Sequence, residues 1–464
     1  MYRWFFFPIL LILLFSAYDG YFPPPWPDEV LFSSAAIQLA KTGQFRTEVL
    51  AGIVYGMDQA TLWNSPLYMI FLSMVYQLTN ESLLIGRLFS LFIGILCLYT
   101  FYFLIKQITK NSQLSFYLTL ILLIDLSFSR AANIIRMEIL NLFFVLLCIY
   151  SLEKKNSTLS GIFMGLSGLT HPISIFLVPI AILYNKNSYR NIIKIGFYAF
   201  IVMIPWLLYI YQYWDIFHFQ FLAQFSRKST HYDFNTIIYL IKVFGGQYQN
   251  KINFVLIYLF LLNLFIIFVY DLISLKKTIK YFIIFAIVLT TTFLSSEAWY
   301  SIYPIPFGII YLAIFINTYP NTKKYLLLFI SFIFILIQTL FWYKAYPKIK
   351  LYKQEYREYV GFLKDNLDAC KVVYLQSIPD PYFDLPKDKV YKEFPPYGLF
   401  KNDVLKSYAD LRINTYKQID CFVITNAEKI EEGLNQILNQ KDFRVIHFPE
   451  YKTLPRGSIY IKQF

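Results

Sequence analysis

Long apolar segments, separated by short polar ones, run through the first three quarters of the chain. A transmembrane helix needs about 20 mostly apolar residues, and about 17 at the low end. Segments that fit or approach this length lie at residues 4–19, 87–105, 113–129, 138–152, 158–170, 173–185, 192–213, 252–273, 280–295, 303–318 and 324–342. The shorter run 66–78 predicts a re-entrant or interfacial helix. The pattern therefore predicts an α-helical polytopic membrane protein, with about 11 spans over residues 1–342.

The tail, residues 343–464, follows a different pattern, in which helical periodicity alternates with short strand-like runs. Helices are expected at 354–367, 404–411 and 427–438, and strands at 371–376, 420–425, 443–448 and 458–462. We therefore predict a small soluble α/β domain. Cys370 and Cys421 each lie at the start of a predicted strand, so a disulfide between them and two separate buried thiols are both compatible with the sequence.

Composition agrees with a membrane protein, since 15% of the 464 residues are charged, against about 25% in soluble domains. A net charge of +13 would suggest nucleic acid as a partner of a soluble protein. Here the basic residues fall in alternate loops, as the positive-inside rule requires if the N-terminus is cytoplasmic. Membrane lipid is thus the expected partner, and nucleic acid is not. We expect a multi-pass protein of the plasma (inner) membrane, with the first outer loop, 20–86, and the tail extracytoplasmic.

One polar stretch directly follows the first apolar segment. A run of prolines and aromatic residues leads into Asp28 and Glu29, and a helix is expected from Asp28 to about Lys41, ended by Gly43. Asp28 is placed to cap the first turn, where free N–H groups favour an anion. The simplest interpretation of this carboxylate pair is an acidic helix cap in a surface loop. The apolar face of the helix predicts that it lies along a membrane surface.

Further ionisable residues gather at the predicted outer ends of spans, whereas the middles of the spans hold almost none. Arg87 begins the second span, and Arg130, Arg136 and Glu138 lie where the third span joins the fourth. Ion-coupled transporters place such residues near the membrane midplane, so this pattern favours chemistry at the outer surface. A carboxylate can take a proton from an acceptor, and arginine binds phosphate through a fixed fork of donors. The alternatives are a structural Arg136–Glu138 ion pair and lipid-headgroup contacts for Arg87 and Arg130.

Six short motifs in a fixed order resemble a known family. They are Asp28–Glu29 followed by Ala35, Leu39, Ala40, Gly43 and Phe45; Asn64 to Tyr68; Arg87 to Gly94; Arg130 to Glu138; Gly165 to Pro172; and Trp299 to Pro306. Over residues 1–320 the chain resembles the GT-C glycosyltransferases that use polyprenyl-phosphate sugars, in particular the protein O-mannosyltransferase-like and aminoarabinose-transferase-like group. The chain departs from the family pattern at Leu31, Asn64 and Ser65.

The resemblance implies transfer of a sugar, with inversion, from a polyprenyl-phosphate donor to a lipid, glycan or protein acceptor. Asp28 is then the base that acts on the acceptor. Glu29 or Glu138 would position the acceptor or help to bind a divalent metal, which is compatible with the family but not required. The candidates for binding the lipid phosphate or sugar are Arg87, Arg130, Arg136, Arg227, Lys228 and His171.

Two other functions remain open at this stage. One is a lipid-linked transferase of a non-sugar group, and the other is a transporter or flippase with a soluble binding domain. Arg227 and Lys228 also fit a solvated loop. The sequence contains no CxxC or Cys/His spacing typical of a metal site.

Overall fold

In a computed structural model the described residues are 6–17, 24–228, 261–262, 264–269, 272, 278–295, 298–318, 347–393, 409–425, 430–440 and 442–463. The helices before the tail are α1 Phe6–Ala17, α2 Pro27–Thr42, α3 Leu67–Leu78, α4 Leu83–Thr109, α5 Ser112–Ile124, α6 Leu126–Ala132, α7 Met137–Glu153, α8 Ser157–Thr170, α9 Leu177–Tyr184, α10 Tyr189–Gln212, α11 Trp214–Lys228, α12 Ile279–Leu294 and α13 Pro304–Thr318. Short 3₁₀ turns, Pro172–Phe176 and Ala298–Ile302, precede α9 and α13.

The helical bundle confirms the predicted class of fold. Among the described residues, three helical segments are long and apolar enough to cross a membrane: Leu83–Thr109, Tyr189–Gln212 and Trp299–Thr318. Other apolar helices are shorter and occupy most of the remaining predicted segments. The predicted span 324–342 lies outside the described residues, as does most of 252–273. The number of spans therefore stays a prediction.

One predicted span is interrupted. The segment 113–129 forms two helices, α5 and α6, which meet at Asp125. The carboxylate of Asp125 is buried and accepts hydrogen bonds from the Phe128 N–H and the Ser127 hydroxyl, so it caps α6. A cap satisfies backbone donors that a new helix leaves unpaired. The break lets the chain turn before it reaches Arg130 and Arg136.

Helix α3 corresponds to the short apolar run 66–78. Its 12 residues extend over about 18 Å, less than the hydrocarbon core of a bilayer. It packs against α2 and α4, and much of α2 is buried in turn. The structure therefore shows α2 packed inside the protein, and the expectation that α2 lies along a membrane surface is wrong.

The tail contains a five-stranded sheet with strand order β2-β1-β3-β5-β4. Its strands are β1 Val372–Gln376, β2 Val390–Glu393, β3 Cys421–Ile424, β4 Phe443–His447 and β5 Ser458–Lys462. Strands β1, β2 and β3 are parallel, and β5 and β4 complete the sheet in antiparallel pairing. The helices of the tail are α14 at 347–366, α15 Ala409–Lys417 and α16 Glu432–Leu438. Four strands match the sequence prediction, and β2 was not predicted.

A disulfide joins Cys370 to Cys421. It links the start of β1 to the neighbouring strand β3, with the two Cα atoms 6.0 Å apart. The sequence left this pairing open. The other two cysteines, Cys97 and Cys148, are buried free thiols, as expected for residues in apolar helices.

The sheet domain contacts the first loop on both sides of α2. The Asp380 N–H donates to the Pro25 carbonyl at 2.9 Å, and the Glu393 N–H donates to the Val49 carbonyl, also at 2.9 Å. Two side-chain contacts add to these, from Lys392 Nζ to the Glu48 carbonyl and from the Thr415 hydroxyl to the Gly52 carbonyl. The domain therefore holds the segment that carries Asp28 and Glu29.

Candidate active site

The N-terminus of α2 fixes the direction of the two acidic side chains. Trp26 is the N-cap residue and Pro27 occupies the first helical position. The Glu29 carboxylate accepts a hydrogen bond from the Trp26 N–H at 3.2 Å, so the capping that we predicted for Asp28 is performed by Glu29. Gly43 ends the helix in the left-handed region, at φ 70°, as predicted. The Asp28 side chain does not take part in this capping and points towards residues of other elements.

Glu29 is fully buried against Arg87 of α4. Arg87 Nε and Nη2 donate to the two carboxylate oxygens at 2.9 and 2.6 Å, which is a bidentate pair. The Ile135 N–H donates to the same carboxylate at 2.9 Å. Both side chains of the pair are wholly excluded from solvent. Glu29 therefore joins α2, α4 and the turn before Arg136.

The approach of that turn to α4 depends on Gly86. A Cβ atom at this position would lie 2.4 Å from Ile135 Cδ1 and 2.8 Å from the Tyr76 hydroxyl. Such distances are far below van der Waals contact, so any larger residue would push the turn away from α4. Gly86 thus allows the Ile135 N–H to reach Glu29.

Arg136 connects the remaining two acidic residues. Its Nη1 lies 3.3 Å from the Asp28 carboxylate, and its Nη2 and Nε donate to Glu138 at 2.8 and 3.2 Å. The side chain of Glu138 is 2% exposed, whereas that of Asp28 is 15% exposed. Asp28 is therefore the one acid of this group that keeps access to solvent.

Aromatic residues of the 3₁₀ turn before α13 surround Arg136. The Arg136 guanidinium lies 4.5 Å from the centre of the Trp299 ring, in cation–π geometry. The next residue, Tyr300, has its hydroxyl 3.0 Å from His171 Nε2. His171 Nδ1 accepts the Ile173 N–H, so Nε2 carries the proton and donates to Tyr300. His171 therefore lies behind Tyr300, and both of its ring nitrogens take part in hydrogen bonds.

Arg130 is partly buried at the end of α6, beyond the predicted span. Within the described residues its guanidinium has no carboxylate partner. Burial, together with the positive charge of the neighbouring Arg136, lowers the pKa of Arg130 to about 10. Arg130 stays charged at neutral pH, and the positive charges of Arg130 and Arg136 together favour the binding of an anion.

Several buried polar atoms close to Arg130 and Arg136 in sequence or space have no partner in the part of the chain that the structure describes. They are both amide atoms of Asn133, Trp299 Nε1, Ser301 Oγ and the Tyr303 hydroxyl. Native structures contain few such groups, and a bound ligand or water commonly accounts for them. Asn133 and Ser301 were not predicted as site residues, because an isolated Asn or Ser between apolar residues gives no signal.

The structure brings together Asp28, Glu29, Glu138, Arg87, Arg130 and Arg136, and puts His171 in the next layer. Arg227 and Lys228 end α11, and their side chains lie outside the described part of the chain, so their role in binding stays a prediction. The sequence also gave no indication of Asn141, whose amide donates to the Ser167 carbonyl and the Ser174 hydroxyl and so supports the His171 turn. In the described ranges no three His, Cys, Asp or Glu residues are grouped to hold a metal ion.

Comparisons with known proteins support the fold. No family profile and no curated protein matches the sequence. The structure is similar to that of ArnT from Cupriavidus metallidurans bound to undecaprenyl phosphate, with a TM-score of 0.63, 11% identity and 97% of each chain covered. It is also similar to the same protein in the apo state, with a TM-score of 0.60, 11% identity, and 98% of this chain and 97% of that chain covered.

ArnT is an aminoarabinose transferase of the GT-C class. The similarity extends over almost the whole chain, so it includes both the helical bundle and the tail. The family resemblance drawn from the short motifs is therefore confirmed at the level of the fold: the chain shares the fold of these ArnT structures.

Proposed function

We propose that the protein is a membrane glycosyltransferase. It moves a sugar from a polyprenyl-phosphate donor to a lipid, glycan or protein acceptor at the outer face of the membrane, with inversion at the anomeric carbon. The observation that carries this proposal is the partly exposed Asp28 beside the buried Arg136. Arg130, with no carboxylate partner among the described residues, lies close enough to Arg136 that burial and the Arg136 charge together lower the pKa of Arg130.

The arrangement provides for both parts of such a transfer, the removal of a proton from the acceptor and the departure of the lipid phosphate. The Asp28 carboxylate takes the proton of the acceptor O–H or N–H as the acceptor atom attacks the anomeric carbon. The bond from that carbon to the phosphate oxygen breaks, and its electron pair stays on the phosphate. Arg130 and Arg136 would balance the charge that develops there. The undecaprenyl phosphate bound to the similar ArnT structure supports a lipid phosphate as the partner.

Glu29 and Glu138 are assigned supporting roles in this proposal. Glu29 uses its carboxylate on Arg87, Trp26 and Ile135, so it fixes the position of Asp28 through the first turn of α2. Glu138 holds the Arg136 guanidinium in a bidentate pair, which leaves Nη1 directed at Asp28. Arg87 is likewise a structural partner of Glu29 in this scheme rather than a phosphate ligand.

The disulfide supports the proposed orientation. Disulfides form and persist in oxidising compartments outside the cytoplasm, and the Cys370–Cys421 bond lies in the tail domain that contacts the first loop. A tail in the periplasm or cell exterior would place Asp28 on the same side. This agrees with the distribution of Lys and Arg among the predicted loops.

Transfer in membranes containing Asp28→Asn tests the proposal. A labelled polyprenyl-phosphate sugar is supplied, and label in lipid, glycan and protein fractions is counted. Asp58→Asn is the matched control, since Asp58 lies in the same loop with its side chain exposed. We expect the Asp58 variant to transfer like the wild type and Asp28→Asn to lose transfer. Equal transfer by both variants would remove Asp28 from its role. Flux of the lipid or its sugar across vesicles without transfer would favour a transporter.

A further inference from the structure

A second pair of acidic residues lies in the tail domain, away from the residues that hold Arg136. Asp380 follows β1, Glu393 ends β2, and each is 1% exposed. Burial, and then the charge of Asp380 together with a hydrogen bond between the two side chains, raises the pKa of Glu393, so the two carboxyls influence each other. Within the described ranges, neither Glu393 oxygen has another hydrogen-bond partner and no Lys or Arg pairs with either acid.

Two carboxylates cannot both carry charge in such surroundings, because burial removes the water that would stabilise them. Among the described residues, the titratable groups that face the pair are the Glu29 carboxylate from α2, Tyr356 and Tyr359 from α14, Tyr374 from β1, and Tyr382 from the following turn. The tyrosines are neutral at neutral pH, and the nearby Arg87 is already paired with Glu29, so none of these groups supplies the pair with a positive charge. The pair therefore needs a proton or a cation of its own.

A proton fits the site better than a metal ion. Calcium takes six to eight oxygen ligands and magnesium about six. Over the described ranges no third His, Cys, Asp or Glu joins these two acids. One proton needs only the two facing carboxyls. Burial raises the pKa of Asp380 to about 7, with the negative charge of Glu29 adding to the effect, and burial followed by the charge of Asp380 raises the pKa of Glu393.

The pair lies where the tail domain meets the first loop. The main-chain N–H of Asp380 donates to the Pro25 carbonyl, three residues before Asp28, and the N–H of Glu393 donates to the Val49 carbonyl beyond the end of α2. The two residues that share the carboxyl contact therefore also hold the two flanks of α2. A charge change in the side chains acts directly on these main-chain contacts.

We propose that one proton shared by Asp380 and Glu393 holds the tail domain against the first loop, and that its loss at alkaline pH releases this contact. The contact residues 24–50 include Asp28, so release would alter the position of the proposed base. The proposal goes beyond the transfer reaction and does not depend on the identity of the substrates.

The direction of the pH effect follows from the raised pKa values. Carboxyls in an unfolded chain titrate near pH 4, whereas the pair in the folded protein keeps its proton to higher pH. The folded state thus binds more protons between these values, and stability falls as pH rises. The stabilisation is fully present below about pH 4 and begins to fall as Asp380 ionises near pH 7. The shared proton then stays with Glu393, whose pKa is raised by burial and by the charge of Asp380, and the contact is lost when this proton leaves at alkaline pH.

Pulsed hydrogen exchange, followed by mass spectrometry, tests the proposal without any substrate. The full chain in lipid nanodiscs is labelled at several values between pH 6 and pH 9, and protection is compared in peptides covering 24–50 and 372–393. Wild type is compared with Glu393→Gln at each pH, which cancels the intrinsic effect of pH on exchange. Glu450→Gln is the matched control, because the Glu450 side chain is 88% exposed in the same domain.

We expect wild type and Glu393→Gln to be protected alike at pH 6. At pH 9 the wild type should exchange at least tenfold faster in both peptides, while Glu393→Gln keeps its protection and Glu450→Gln follows the wild type. Asp380→Asn gives the same comparison if Glu393→Gln does not fold. Identical protection of wild type and both neutral variants at pH 9 would overturn the proposal. Release of the wild-type contact by a chelator at pH 6 would also overturn it, in favour of a bound divalent cation.

Discussion

The two acidic pairs of this protein, Asp28–Glu29 and Asp380–Glu393, are built from the same residue types and differ in what compensates their burial. Glu29 is wholly buried and is paired with Arg87, and Asp28 contacts Arg136. Asp380 and Glu393 are equally buried and have no basic partner in the described parts of the chain. A buried carboxyl is tolerated when an opposite charge balances it or when a proton neutralises it. The first solution leaves a charged group for chemistry, whereas the second makes a contact that depends on pH.

The largest effect on stability is expected when the buried ion pair between Glu29 and Arg87 is broken. Arg87→Met leaves the Glu29 carboxylate buried without its bidentate partner. Breaking a buried pair in this way costs about 3–5 kcal/mol, so the protein should unfold at a much lower temperature. Thermal unfolding of the purified protein, followed by loss of the monodisperse peak in size-exclusion chromatography, measures the change.

A double variant separates the loss of the pair from the loss of packing. Glu29→Gln combined with Arg87→Met removes both charges and should be more stable than Arg87→Met alone. Arg456→Met is the control for an exposed pair, because Arg456 and Glu450 are 92% and 88% exposed. We expect no measurable change there. A double variant less stable than Arg87→Met would show that the buried charge is not the cause.

A change in the Asp380–Glu393 pair should have the opposite effect, because removing one of these carboxyls should stabilise the protein. Glu393→Gln keeps a donor for Asp380 and removes one ionisable group whose pKa is raised by burial, so it should raise the unfolding temperature at alkaline pH. The gain should disappear towards pH 5. Unfolding temperatures of wild type and variant across this range test it, and a gain independent of pH would contradict the account.

A variant of Arg130 tests whether an arginine without a carboxylate partner among the described residues binds the lipid phosphate. Arg130→Met should weaken binding of undecaprenyl phosphate by about tenfold or more, because a hydrogen bond to a charged group contributes about 1.5–3 kcal/mol. Binding of the lipid to protein in nanodiscs is measured directly. Arg190→Met is the control, since Arg190 is exposed at the start of α10. Equal affinity in both variants would exclude Arg130 from phosphate binding.

The smallest expected effect concerns the aromatic face over Arg136. Trp299→Leu removes a cation–π contact of about 0.5–1 kcal/mol, and transfer should fall by a few fold. Trp299→Phe keeps an aromatic face and should restore part of the loss. No difference between the Leu and Phe variants would show that the ring does not position Arg136.

Hydropathy alone located most of the described helices, because an apolar segment must bury its backbone polar groups in a helix when water is absent. It missed the break at Asp125, where one buried cap residue divides an otherwise apolar segment. It also missed β2, whose four residues, Val390–Glu393, are mixed in polarity and pair only with β1.

The sequence identified the residues of the candidate site better than it identified their partners. Asp28, Arg136 and Glu138 were selected together, and the structure brings them into contact. The pairing of Glu29 with Arg87 was not predicted, because 58 residues separate them and only packing of α2 on α4 brings them together. The Asp380–Glu393 pair was missed for a similar reason, since Glu393 ends β2 opposite Leu375 of β1 and Asp380 lies in the segment beyond β1.

In the proposed reaction Asp28 acts as a base on the acceptor and does not bind the donor. Transfer and donor binding are therefore measured on the same samples of wild type and Asp28→Asn, with a labelled polyprenyl-phosphate sugar. The account predicts that Asp28→Asn binds the donor within about twofold of the wild type but transfers it about 10²–10⁴ times more slowly, the usual contribution of a general base. Unchanged transfer, or a loss of transfer explained entirely by a loss of binding, would contradict it.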